Sequence, residues 1–75
     1  MKLREFLTLP DEFTIDSRNG DELHEDISIN GIPDLDKEST SKLIDYLERC
    51  LAFGQVSSKN IIGVERELLK IKSKV

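Results

Sequence analysis

The chain lacks the features that would cross-link a small protein covalently or place it in a membrane. It has one cysteine in 75 residues, so no disulfide can form within the chain. No apolar run approaches the ~20 residues that a membrane-spanning helix needs, and no secretory hydrophobic segment is visible. These absences favour a cytoplasmic protein that depends on its hydrophobic core.

The sequence also lacks a recognisable catalytic, metal-binding or nucleotide-binding motif. Its 75 residues suffice for one domain, which we divide into an acidic front (residues 1–36) and a helical pair (residues 37–75). Cys50 falls on an apolar stripe, which indicates a small core residue rather than a nucleophile. We therefore expect no enzyme activity and no cofactor.

The first helix of the pair is predicted to begin near Asp36 or Ser39, either of which can cap the free N–H groups of a first turn. Its apolar residues recur at spacings of three and four, which is typical of an amphipathic helix. The helix should end at Phe53, because Gly54 suits the left-handed conformation that follows many helices.

The second helix is predicted to begin at Ser57 or Ser58, after a short turn that favours an antiparallel pair. Its apolar seam comprises Ile61, Val64, Leu68, Ile71 and Val75. This stripe exceeds what one small core requires, so we expect a homodimer with Val64, Leu68 and Ile71 at or near the contact. Gly63 costs helix propensity; it marks either a close approach of another element or a tolerated cost.

The front half predicts a short helix over residues 1–9, stopped by Pro10, and then a β-hairpin over residues 13–29. Asn19-Gly20 is a strong hairpin signal. A three-residue loop ending at Gly20 places Phe13, Ile15, Leu23, Ile27 and Ile29 on one face. The predicted fold class is therefore α+β: a short helix, a two-stranded antiparallel hairpin and an antiparallel helix pair.

Charge is distributed unevenly along the chain. Residues 11–38 contain ten carboxylates against Arg18 and Lys37, a net charge of −8, whereas residues 49–75 carry +4. Some of the basic residues complement the negative C-terminal end of the second helix. Complementing a helix end does not fully explain the excess of carboxylates in residues 11–38.

Two kinds of site could use these carboxylates. Asp16, Glu22, His24 and Asp26 would share the outer hairpin face and could ligate a metal, although a solvated hairpin commonly looks the same. The second site is an electrostatic surface for a basic, nucleic-acid-binding protein. Its predicted partner-binding residues are Asp16, Glu22, Asp26, Asp34, Asp36 and Glu38.

Two other functions remain open. The segment Gly54-Gln55-Val56-Ser57, followed by Lys59, Asn60 and Arg66, resembles the turn and recognition helix of helix-turn-helix DNA-binding regulators. The acidic front half would repel DNA phosphates. A small dimeric adaptor or assembly protein with an apolar interface is the other alternative, in which the acidity serves only solubility.

The opening Lys2-Leu3-Arg4-Glu5-Phe6-Leu7, followed by Phe13-Thr14-Ile15-Asp16 and Asn19-Gly20, resembles the openings of small phage proteins. In length and acidity the chain is similar to the accessory proteins that phages direct against host factors, several of which mimic DNA. That resemblance implies a non-enzymatic inhibitor that occupies a basic host protein. It assigns no role to any individual residue.

Overall fold

The computed structural model describes residues 1–9 and 17–73, with Ser17 described by its backbone alone. These residues form four α-helices: α1 (Leu3–Phe6), α2 (Ser17–Asn30), α3 (Lys37–Ala52) and α4 (Ile61–Lys72). A 3₁₀ turn, Ser58–Asn60, leads into α4. The described residues contain no strand, so the predicted α+β class with a β-hairpin is wrong. None of these helices is long and apolar enough to cross a membrane.

The predicted hairpin failed because its turn signal lies inside a helix. Asn19 and Gly20 belong to the first turn of α2. Leu23 and Ile27, four residues apart, are 0% and 4% exposed, which is the helical spacing of a buried stripe. Ile29, which the hairpin placed on its inner face, is 79% exposed. The predicted first strand, residues 13–16, lies outside the described residues.

Gly20 is needed for close packing rather than for a turn. A Cβ at this position would lie 2.0 Å from the Gln55 carbonyl oxygen and 3.3 Å from Cys50 Sγ. Glycine therefore lets the start of α2 lie against the loop between α3 and α4. The same residue that favoured a hairpin in the sequence fixes a contact between elements distant in the chain.

Helix α3 follows the signals in its sequence closely, whereas α4 begins at Ile61, after the 3₁₀ turn, and not at the predicted Ser57 or Ser58. The Asp36 carboxylate caps α3 by accepting the Ser39 N–H at 2.7 Å. After α3, Gly54 adopts a φ of +66°, and the Gln55 N–H donates to the Cys50 carbonyl at 2.9 Å. These contacts confirm both predicted ends of the helix, since a left-handed residue and a 6→1 bond define a Schellman cap.

All four helices contribute to one hydrophobic core. Its buried members are Leu3, Phe6, Leu23, Ile27, Leu43, Tyr46, Leu47, Cys50, Val56, Val64, Leu68 and Ile71. The short helix α1 is held by the Phe6 ring, whose centroid lies 4.6 Å from that of Tyr46. Cys50 is 1% exposed, which confirms its prediction as a core residue.

Candidate functional site

A polar cluster interrupts the core where α2 packs against α4. His24 on α2 and Glu67 on α4 have side chains that are 13% and 9% exposed, and His24 Nδ1 lies 2.9 Å from Glu67 Oε1. Gly63 allows this approach, because a Cβ there would lie 2.5 Å from His24 Cε1. This contact confirms one of the two interpretations of Gly63 from the sequence, namely that another element packs close to it.

Ser28 completes the cluster from the next turn of α2. Its hydroxyl donates to Glu67 Oε1 at 3.3 Å. The hydroxyl thus points at a carboxylate and not at the imidazole of His24. Nucleophilic catalysis by serine needs a base on its hydroxyl and an acid that orients that base. The three side chains therefore lack the serine–histidine contact of a catalytic triad.

Two buried atoms of this cluster have no hydrogen-bond partner among the described residues. Glu67 Oε2 is one of them. His24 Nδ1 is the other, although it lies 2.9 Å from Glu67 Oε1. An unsatisfied buried polar group costs about 1–3 kcal/mol, and native proteins retain few such groups. Their concentration here distinguishes the cluster from the rest of the core.

The cluster lies along a groove of about 540 Å³ between α2, the loop that follows it, and α4. His24, Ser28 and Glu67 line the groove together with Arg66 and Lys70 of α4. Both cations are exposed. The groove therefore combines a buried carboxylate with two positively charged side chains at its edge.

Several of the predicted partner-binding carboxylates serve the fold itself. Glu22 accepts hydrogen bonds from the Met1 ammonium and from Arg18 Nε, and the first of these chiefly lowers the pKa of Glu22. Asp26 accepts the Leu3 N–H at 2.9 Å, which chiefly lowers the pKa of Asp26. The two carboxylates thereby tie the N-terminus and α1 to α2.

Asp36 is engaged as the cap of α3, and its hydrogen bond with the Ser39 N–H lowers the pKa of Asp36. Asp34 and Glu38 are exposed, with no ion pair to the described residues. Asp16 lies outside the described residues. The structure therefore leaves two of the six predicted partner-binding residues both described and unengaged.

Asp21 is a structural residue that the sequence did not reveal. Its carboxylate accepts the Ser57 N–H at 2.8 Å, the Ser57 hydroxyl, and the Asn60 side-chain amide at 2.9 Å. The hydrogen bond from the Ser57 hydroxyl is the main cause of the lowered pKa of Asp21. Asp21 thus caps the entrance to α4 from a different helix, and no local sequence signal indicates a cap supplied 36 residues away.

The described members of the metal-ligand set that was weighed against a solvated hairpin face, Glu22, His24 and Asp26, do not converge. Glu22 and Asp26 lie on the side of α2 that contacts the N-terminal segment, whereas His24 faces α4. Within residues 1–9 and 17–73, no group of three or more histidine, cysteine or acidic side chains could hold a metal ion.

The structure places the predicted dimer residues inside the chain. Val64, Leu68 and Ile71 are 1%, 8% and 2% exposed. The apolar side chains that α4 does expose are Ile61 at 38%, Ile62 at 66% and Leu69 at 68%. The homodimer itself stays a prediction.

Of the three residues predicted for DNA reading, Lys59 and Arg66 are exposed. Asn60 donates a hydrogen bond to Asp21 through its side-chain amide.

No family model matches the chain, and no curated protein or solved structure matches it either.

Proposed function

We propose that the chain is a non-enzymatic protein-binding module that receives its partner on the outward face of α4. Ile62 and Leu69 carry this proposal: they lie seven residues apart, on the same face of the helix. Both are about two-thirds exposed, while Val64 and Leu68 fill the opposite face. Apolar side chains aligned on one exposed face are typical of a contact surface.

The surroundings of this apolar pair indicate the chemistry of the partner. Lys59, Arg66, Lys70 and Lys72 are exposed on α4 and the turn before it, and Lys72 lies 3.5 Å from Glu48 of α3. Glu65 is the exposed acidic residue of the same helix. An amphipathic partner segment with apolar and acidic residues would complement this surface, since charge complementarity steers and aligns a complex.

The acidic surface predicted from the sequence remains a second candidate for the contact. The observation that supports this surface is the net charge of −8 over residues 11–38, together with the exposure of Asp34 and Glu38. Glu22, Asp26 and Asp36 already accept hydrogen bonds within the chain. That engagement supports the α4 face over capture of a basic protein.

Affinity capture with matched variants separates the two candidates. The double variant Ile62→Ser/Leu69→Ser should lose the proteins that the unaltered chain captures. Ile29→Ser should retain them, because Ile29 is 79% exposed but lies on α2. Loss of capture with Asp34→Lys/Glu38→Lys, but not with the α4 double variant, would reject the α4 face in favour of the acidic surface.

Ionic strength gives an independent measurement on the same complexes. A contact with an apolar centre should keep most of its affinity at moderate salt, whereas purely electrostatic capture should weaken steeply.

Light scattering on the isolated chain tests whether it forms a homodimer. A dimer that Ile62→Ser/Leu69→Ser dissociates would identify the partner at this face as a second copy.

A further inference from the structure

We propose that a second copy of the chain covers the outward face of α4, and that the two α4 helices pair in parallel about a two-fold axis. Ile62 and Leu69 then meet their counterparts across that axis. The inference rests on the proposed function in one respect, because it assigns the same face: an outside partner has to displace the second copy. Self-pairing therefore regulates access to the face.

The exposed apolar pair supplies the contact between the two copies. Ile62 and Leu69 are 66% and 68% exposed, and they lie two helical turns apart, about 10 Å along the axis. In parallel helices that pair, residues at this spacing pack on their own counterparts in successive layers. Two symmetric apolar layers are thus available without any change in the fold.

Charged residues border the apolar pair on opposite sides. Arg66 lies on the side of α2, because it lines the groove between α2 and α4. Glu65 lies on the side of α3, because it shares a helix face with Lys72, which lies 3.5 Å from Glu48 of α3. Glu65 and Arg66 are both exposed, and neither forms an ion pair with the described residues. Both charges are therefore available to a second copy.

This order of charges selects the parallel arrangement. About a two-fold axis parallel to the helices, the α2 side of each copy faces the α3 side of the other, so Glu65 of each copy meets Arg66 of the other. An antiparallel pair would bring Glu65 against Glu65 and Arg66 against Arg66. Charges that flank an apolar seam set the orientation of paired helices. The face is therefore complementary to itself in one orientation.

The length of α4 limits the strength of this pairing. The helix has 12 residues and is about 18 Å long. Stable complexes bury about 1,200–2,000 Å² in total, which is more than two such short helices provide. We therefore expect a dissociation constant of roughly 0.1–1 mM. An outside partner with several acidic residues would compete effectively, because the second copy offers Glu65 alone.

Sedimentation equilibrium of the isolated chain at up to about 2 mM tests the pairing. Glu65→Arg and Arg66→Glu should each weaken self-association about tenfold, because two attractive pairs become repulsive. The double exchange Glu65→Arg/Arg66→Glu should restore it. Glu5→Arg is the matched control, since it makes the same change of charge at an exposed position of α1, and it should pair as the unaltered chain does.

Disulfide cross-linking tests the orientation. Under mild oxidation Leu69→Cys should join two copies, since residue 69 meets itself in the parallel pair. In an antiparallel pair the two cysteines would lie about 10 Å apart, beyond the reach of a disulfide. Ile29→Cys is the control, being 79% exposed on α2, and should cross-link far more slowly. Cys50 is 1% exposed and does not interfere.

Three outcomes would each overturn the inference: a monomeric chain at about 2 mM, self-association that Glu65→Arg leaves unchanged, or cross-linking of Leu69→Cys no faster than that of Ile29→Cys. The proposed function fails separately. A monomeric chain that loses its captured proteins in Ile62→Ser/Leu69→Ser would reject the second copy and keep the proposed function. Self-pairing beside capture that this variant leaves intact would reject the proposed function alone.

Discussion

Gly63 on α4 lies directly against the imidazole of His24 on α2. A Cβ built on Gly63 would lie 2.5 Å from His24 Cε1 and 3.0 Å from Nε2. The ring also contacts Glu67, one turn further along α4, whose Oε1 lies 2.9 Å from Nδ1. The glycine is therefore what allows a half-buried histidine and a buried glutamate to meet between two packed helices.

Gly63→Ala should lower the free energy of unfolding. Alanine would favour the helix by about 1 kcal/mol, but the added methyl must displace an imidazole that Glu67 constrains, at a cost of about 1–3 kcal/mol. We expect a net loss of about 1 kcal/mol in urea unfolding. The same change made in a His24→Ala background should be neutral or stabilising, and equal losses in both backgrounds would contradict the contact.

Gly20→Ala should be more damaging, because its Cβ would lie 2.0 Å from a backbone oxygen, that of Gln55. A backbone group moves less readily than a side chain, so we expect a loss of about 3 kcal/mol in urea unfolding. Gly31→Ala is the comparison. It has open space but a φ of +76°, and should lose only about 1–2 kcal/mol.

Asp21→Ala should destabilise the packing of α4 on α2. The substitution removes the acceptor of the Ser57 N–H, the Ser57 hydroxyl and the Asn60 amide. Hydrogen bonds to charged groups contribute about 1.5–3 kcal/mol, so thermal unfolding should show a loss of about 2 kcal/mol. Asp45→Ala, at an exposed position of α3, should change stability little; an equal loss there would contradict the assignment.

Stability should fall as the solution is acidified. The pKa of Asp21 and the pKa of Asp26 are lowered from the ordinary value of 3.8 by the hydrogen bonds they accept. A lowered folded-state pKa stabilises the fold fully above the unfolded-state pKa, and this contribution disappears as pH falls through the folded-state pKa. Urea unfolding at several pH values between about 6 and about 2 measures the loss.

The variant Asp21→Asn supplies the control for this pH dependence. It removes one titrating carboxylate whose pKa is lowered in the fold. Its unfolding free energy should therefore fall less steeply below the ordinary pKa of 3.8 than that of the unaltered chain. Identical acid profiles for the two proteins would exclude Asp21 as a contributor.

Cys50 should react slowly with thiol reagents in the folded chain. Its side chain is 1% exposed, and burial raises the pKa of the thiol to about 11. The thiolate is the reactive form, so at about pH 8 a disulfide reagent should modify the folded chain far more slowly than the urea-unfolded chain. Equal rates in the two states would show that the core opens at α3.

The sequence by itself determined the ends and the buried face of α3. Asp36 lies at the start of α3 and Gly54 follows its end, as their chemistry predicts, because a capping residue acts on backbone groups only a few residues away. The spacing of Leu43, Leu47 and Cys50 likewise identified a buried face. These signals required no knowledge of the rest of the fold.

Only the tertiary structure decided the identity of α2 and the composition of the candidate site. Asn19-Gly20 is a hairpin signal locally, but packing gives residue 20 a neighbour, Gln55, that a Cβ would strike. Asp21 acts on Ser57, 36 residues away, and His24 meets Glu67 across α2 and α4. Such contacts arise when helices pack, so their partners cannot be inferred from neighbouring residues in one sequence.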